Sequence, residues 1–188
     1  MNELPVTPIG TVVYAKVHEP KFNDRRNREE YYIAVKYLPE EVATLKENLE
    51  AQLQNYYTTK VTNKNLERKG KITIPFKTQA GEETGEVVLQ FNTAAFLTKK
   101  TGEKLEQSVA LFNRAGEPIR DEIYGGAKVI VSYLPYFWEK AGIGYGMSLQ
   151  LKGIQVVVPS KGRDINDPKC FGFEPIPEEG EFDEDIPL

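Results

Sequence analysis

From Tyr133 to Tyr145 the chain gathers five large aromatic residues, Tyr133, Tyr136, Phe137, Trp138 and Tyr145, and Lys128, Lys140 and Lys152 interleave or flank them. Flat rings can stack on bases while ammonium groups neutralise phosphates, at about 1–3 kcal/mol per stacked base and with little regard to its identity. The cluster therefore suits a surface for single-stranded nucleic acid, although core and hairpin packing of the same rings is the plainer alternative. Strand alternation puts Tyr133 and Phe137 on one face with Val129 and Val131, and Tyr136 and Trp138 on the other with Lys128, Ile130 and Ser132. The second set makes the better surface, provided that Pro135 carries no bulge that shifts the parity. Tyr14 and Lys16, Lys36, and Phe112 with Arg114 form a second tier that reads, residue by residue, as solvent-facing strand. Lys21, Arg25, Arg26 and Arg28 could follow a phosphate backbone, but Glu29 and Glu30 come next and a charged loop is often simply solvated.

The other end of the chain carries the opposite charge. Seven of the 28 acidic residues fall at Glu174, Glu178, Glu179, Glu181, Asp183, Glu184 and Asp185, with no Lys or Arg from 174 to 188. The overall charge of −4 thus hides a mildly basic body with an acidic tail. The tail ends Phe182-Asp183-Glu184-Asp185-Ile186-Pro187-Leu188. An apolar plug, a terminal carboxylate and upstream acids suit capture in a basic-rimmed pocket of a partner protein. Competition of the tail with nucleic acid for a basic groove is also expected.

Catalytic chemistry finds little support. With one cysteine, Cys170, and one histidine, His18, no Cys/His zinc site and no internal disulfide can be assembled. His18 beside Glu19 reads as structural or solvated. Glu117, Asp121 and Glu122 surround Pro118 without a companion acidic pair on a neighbouring strand, and no Gly-x-x-x-x-Gly-Lys phosphate loop is present. No apolar run approaches the roughly 20 residues of a membrane span, and MNELPVTPIG lacks a signal peptide's pattern. A soluble cytoplasmic protein without catalytic residues, metal or cofactor is the expectation.

The elements that must position these side chains are mostly strands. Alternation over 9–17 places Ile9, Thr11, Val13, Ala15 and Val17 on one face, and 31–38 is rich in aromatic and β-branched residues. His18 to Arg28 reads as a loop. Pro39, then Glu40 and Glu41, open a helix over 39–55 whose stripe is Val42, Leu45, Leu49 and Leu53. Further strands are expected at 71–77, 85–92, 107–113, 127–138 and 145–158, separated by glycine turns. Short strands with one inserted helix describe an OB-type Greek-key barrel, with a β-sandwich as the alternative. Residues 1–160 would form that domain, 161–173 a linker, and 174–188 a disordered, proline- and acid-rich tail.

Two stretches carry a resemblance. Glu181 to Leu188 resembles the C-terminal peptide of bacterial single-stranded DNA-binding proteins, with Leu188 where those proteins have phenylalanine. Tyr124-Gly125-Gly126, the strand through Trp138, the glycine turn and Gly146 to Gln155 are similar to the phage-type single-stranded DNA-binding proteins. The resemblance implies an OB fold that binds single-stranded DNA during replication, recombination and repair. It also implies a tail that recruits replication proteins such as DNA polymerase, helicase-primase or recombination enzymes. The contact residues would be Lys16, Phe112, Arg114, Lys128, Tyr133, Tyr136, Phe137, Trp138, Lys140, Tyr145 and Lys152. A protein-interaction module with a DNA-mimicking tail is the competing reading. The oligomeric state, a homodimer included, stays open.

Overall fold

The structure, a computed structural model, describes residues 3–162. The tail, and all but the first two residues of the expected linker, lie outside them.

Two long strands begin the barrel. β1 (Gly10–Asn23) and β2 (Arg28–Tyr37) pair antiparallel and close with Asn23 opposite Arg28, so the expected loop at 18–28 is a hairpin with a short turn. Pro20 cannot donate to a ladder, and the pairing is irregular between Lys16 and Lys21 but then resumes. Asn27 adopts a left-handed φ of 49°, which suits an asparagine at a tight turn. A second irregularity lies between Val12 and Tyr14. This bulge reverses the expected parity for Val12, which joins Ala15 and Val17 in the core while Tyr14 and Lys16 face outward.

Pro39–Val42 form one 3₁₀ turn that leads into α1 (Ala43–Thr59). Glu41 Oε2 accepts from the Leu38 amide at 2.8 Å, and the acidic first turn complements the helix start. Val42, Leu49 and Leu53 are buried and Leu45 is partly buried, so the expected stripe packs onto the barrel. Burying one such leucine contributes about 1.5–3 kcal/mol. The helix ends where Lys60 N–H reaches the Tyr56 carbonyl at 2.8 Å.

After α1 come β3 (Arg68–Lys69), β4 (Ile74–Lys77), β5 (Glu83–Ala94), β6 (Phe96–Thr98), β7 (Lys104–Glu106), β8 (Ala110–Phe112), β9 (Lys128–Lys140) and β10 (Gly144–Val158). β1, β2, β5, β10 and β9 follow one another around a closed barrel. The parallel pairing of β10 with β5 and the short pairing of β9 with β1 seal it. This closure rules out the sandwich and gives an OB-type architecture. Inside lie Ile33, Val35, Leu89, Phe91, Val129, Val131, Leu151 and Ile154, all fully buried. β6 and β7 form a separate hairpin that the sequence reading did not contain. Among the described residues, no helix is long and apolar enough to cross a membrane.

Candidate nucleic-acid interface

On the outside of β1, β2 and β5 the side chains between the core positions form a groove of about 520 Å³. Tyr14, Lys16, Lys21 and Phe22 line it from β1, Tyr32 and Glu30 from β2, Gln90 and Asn92 from β5, and Asp24, Arg25 and Arg26 from the turn. The Tyr14 and Tyr32 rings are 6.1 Å apart and tilted by 45°, and Lys21 Nζ lies 6.0 Å from the Tyr14 ring. Phe22 is 52% exposed. Lys16, Lys21 and Arg25 have no acidic partner among the described residues, which leaves their charge directed at the groove.

The groove floor is held by a buried carboxylate. Glu30 Oε1 accepts from Asn23 Nδ2 at 2.6 Å, and Oε2 faces Arg26 Nη1 and Arg28 Nε, each at 3.3 Å. Arg26 Nη1 also donates to Asn92 Oδ1, tying the turn to β5. The Arg25 and Arg26 amides both donate to Asn23 Oδ1. Burial, then the nearby Glu30 and Tyr14, raise the Tyr32 phenol above its usual range, against a smaller opposing pull from Arg26. Tyr32 therefore presents a neutral ring to the groove at ordinary pH.

Register extends this face across the barrel. Lys16 pairs with Tyr32, Tyr32 with Asn92, Asn92 with Gln150 and Gln150 with Leu134, in one row across all the barrel strands. Lys152 stands beside that row at a bulge between Leu151 and Gly153 and is half-buried.

The aromatic hairpin divides differently. The parity across Pro135 holds, since β9 and β10 stay in register from Lys140 to Tyr133. Tyr133 is only 5% exposed, with its ring 5.7 Å from Phe91; it is a core residue and offers no face to a base. Phe137 stacks on Tyr56 of α1 at 5.2 Å and Tyr145 on Tyr57 at 4.8 Å, so each has one face covered by the helix. Trp138 is half-buried over Gly146, where an added Cβ would come within 2.6 Å of the indole. Tyr136 is 54% exposed. Glu139 accepts from the Thr62 hydroxyl at 2.8 Å, the Thr62 amide at 3.1 Å and the Asn63 amide at 3.3 Å. These bonds, the Thr62 hydroxyl's first, hold its carboxyl below the usual range. The hairpin end is thus clamped to the segment that follows α1.

The remaining lysines and Phe112 with Arg114 do not converge on one site. Lys128 and Lys140 occupy opposite ends of β9, roughly 40 Å apart along the strand, and Lys128 Nζ donates to Thr11 Oγ1 at 2.6 Å. Phe112 is half-buried on β8, beside β10 at Gln155, and Arg114 edges a cavity of about 340 Å³ with Ile123, Tyr124, Val156 and Pro159. Of the weighed catalytic candidates, His18 Nε2 lies 2.8 Å from the Asp121 carbonyl, linking β1 to the segment before β9, and Glu117 accepts from Asn113 Nδ2 within a turn. No group of three His, Cys, Asp or Glu side chains among the described residues is placed to hold a metal.

No family model matches the sequence, and no curated protein does. Solved structures do. The single-stranded DNA-binding protein from bacteriophage Enc34, in complex with ssDNA, superposes with a TM-score of 0.62 at 13% identity, over 84% of this chain and 87% of that one. The single-stranded DNA binding protein gp2.5 encoded by bacteriophage T7 gives 0.57 at 16%, over 88% of this chain and 97% of the other. The fold is that of the phage single-stranded DNA-binding proteins. The resemblance read from 124–155 is thereby met at the level of fold.

Phe22 and Tyr32, which line the groove, are not among the residues the sequence reading singles out, while Tyr14, Lys21 and Arg25 read there as solvated strand and loop. The available signal is the pairing of aromatic with cationic residues at Tyr14 and Lys16 and at Lys21 and Phe22, ahead of Asp24 to Asn27, a hairpin turn whose asparagine tolerates a positive φ. Pro20 concealed it, because a proline argues against a continuous strand.

Proposed function

We propose that the protein binds single-stranded DNA, with little sequence preference, in the groove between the β1–β2 hairpin and β5. The observation that carries this reading is the groove itself: exposed aromatic faces of Tyr14 and Phe22 beside Lys16, Lys21 and Arg25. It lies on a barrel whose fold is shared with phage proteins that bind single-stranded DNA. From the groove the strand continues across Gln150 and Lys152 toward Tyr136, Trp138 and Lys140. Lys128, Phe112 and Arg114, at the other ends of their strands, meet only longer DNA. Tyr133, Phe137 and Tyr145 act indirectly, by holding β9 and β10 in place. Binding serves DNA replication, recombination and repair. The acidic segment 174–188 screens the groove until DNA displaces it and then recruits replication proteins such as a polymerase, a helicase-primase or a recombination enzyme.

Anisotropy of labelled oligo-dT, duplex DNA and oligo-U, at two salt concentrations, tests the reading with the full chain and with residues 1–173. Preference for oligo-dT over duplex is expected, along with a log–log salt slope of about −0.7 per phosphate contact and tighter binding by the shorter chain. Lys21→Glu with Arg25→Glu should weaken binding. No binding by either chain would overturn the reading in favour of an interaction module whose acidic end contacts a basic partner.

A further inference from the structure

The β6–β7 hairpin is set apart from the barrel. It is a two-stranded sheet of its own, every residue of both strands is exposed, and Leu97 and Leu105 face each other as a solvent-facing cross-strand pair. Exposed leucines on a short isolated hairpin add nothing to the barrel core, so the Leu97–Leu105 pair is an apolar contact left open to a ligand. The hairpin is nonetheless well formed. Its tip is closed by Lys99 N–H to the Glu103 carbonyl and Gly102 N–H to the Lys99 carbonyl, each at 2.9 Å, with Gly102 at a φ of 84° that favours glycine.

Its root fixes where it stands. Ala95 N–H donates to the Glu29 carbonyl at 2.9 Å, and Glu29 pairs on its other side with Phe22. The arm therefore leaves the barrel level with Phe22, two strand spacings or about 10 Å away, at the same end as the β1–β2 turn. Gln107 N–H to the Ala95 carbonyl, at 2.8 Å, ties the returning strand to the same point. At the far end Lys99 pairs with Glu103 at 2.8 Å, whereas Lys100 and Lys104 have no acidic partner among the described residues. An apolar stem with cations at its tip, rising beside an aromatic and cationic groove, matches the base-and-phosphate chemistry of one strand.

We propose that the β6–β7 hairpin is a second arm of the nucleic-acid site. It extends the path of a single strand beyond Phe22, with Lys100 and Lys104 on phosphates and the Leu97–Leu105 pair against a base. This inference rests on the groove reading. It adds one consequence that the groove alone does not have: the arm engages only DNA long enough to leave the groove.

The test is a length series of labelled oligo-dT, titrated at several salt concentrations against the full chain, Lys100→Glu/Lys104→Glu and Leu97→Ser/Leu105→Ser. Both variants lie outside the core and should melt as the parent does. For the parent, affinity should rise with length to a plateau. For both variants the shortest oligonucleotides should bind as before, with the plateau reached about two nucleotides earlier within the 4–16 that one OB fold covers. The lysine variant should also lose about 1.4 from the salt slope on long DNA, for two contacts at about 0.7 each. An unchanged plateau and slope would overturn the arm while leaving the groove intact. A variant that alters sedimentation without altering DNA binding would overturn it in favour of a contact between copies of the chain. Absence of binding by the parent would sink the groove reading instead.

Discussion

Arg26 Nη1 stands 3.3 Å from Glu30 Oε2, and Glu30 is only 4% exposed. A carboxylate with its charge open would repel phosphates from the proposed DNA groove. Here Arg26, Arg28 and Asn23 consume it, and the result is a fixed turn. Glu30→Gln keeps the shape but loses the charge that holds two guanidinium groups. It should cost about 1–3 kcal/mol of stability. The Arg25 and Arg26 amides should exchange faster, as read by denaturant melts and hydrogen exchange.

Two substitutions of aromatic residues should have opposite signatures. Phe22→Ala removes an exposed ring from the groove, so the melting temperature should hold. Oligo-dT affinity should fall by about 1–3 kcal/mol, or roughly 5- to 150-fold. Tyr133→Ala instead opens a cavity against Phe91 and should cost about 3–5 kcal/mol of stability. Its affinity loss should vanish wherever the variant is still folded. Equal behaviour of the two in parallel melts and titrations would contradict the division between groove and core.

Tyr37 ties stability to alkaline pH. Its hydroxyl is buried without a hydrogen-bond partner among the described residues. The Thr7 hydroxyl, which pulls the phenol downward by less than burial raises it, is itself engaged with the Pro8 carbonyl and the Val131 amide. Burial dominates and pushes the phenol from 10.0 up to about 12. In the unfolded chain the proton leaves first, so this contribution is intact below the unfolded value and is lost as pH rises from there through the folded one. The loss should reach about 2–3 kcal/mol at 1.36 kcal/mol per unit. Tyr37→Phe should remove that part of the alkaline slope at little cost at neutral pH, as measured by urea unfolding across the range.

Gly10 explains how Tyr37 fits. A Cβ there would lie 2.4 Å from Tyr37 Cε1 and 2.5 Å from Val35 Cγ1, both inside the packed barrel. Gly10→Ala should therefore destabilise by about 1–3 kcal/mol through overpacking. Gly10→Ala combined with Tyr37→Leu should recover part of the loss, which a double-mutant cycle would read directly.

The contact between Glu139 and Thr62 should respond to acid. Because the carboxyl is held below its usual range, the contact is intact above the ordinary carboxylate value and is lost as pH falls through the lowered one. Glu139→Ala should expose the Thr62 and Asn63 amides to faster exchange at neutral pH. Short oligo-dT binding should not change, since neither Glu139 nor Thr62 lines the groove between β1, β2 and β5.

Much of the architecture follows from local sequence. Val42, Leu45, Leu49 and Leu53 repeat at helical spacing after Pro39, and the helix stands there because a 3.6-residue period has one apolar stripe to bury. The order of long strands around that helix, with glycine turns between them, is likewise a local pattern, and it was enough to indicate an OB-type barrel. Side-chain direction was not local. One bulge at Val13 reversed the face of Val12, and pairing that resumed beyond Pro20 turned an apparent loop into the wall of a groove. The aromatics between Tyr133 and Tyr145 could be counted in the sequence. Whether their rings meet solvent depended on α1, which brings Tyr56 and Tyr57 against Phe137 and Tyr145 from some eighty residues away. Sequence alone thus determined which residue types were available and which segments could pair. Tertiary structure decided which faces remained open, because exposure depends on what the rest of the chain packs against.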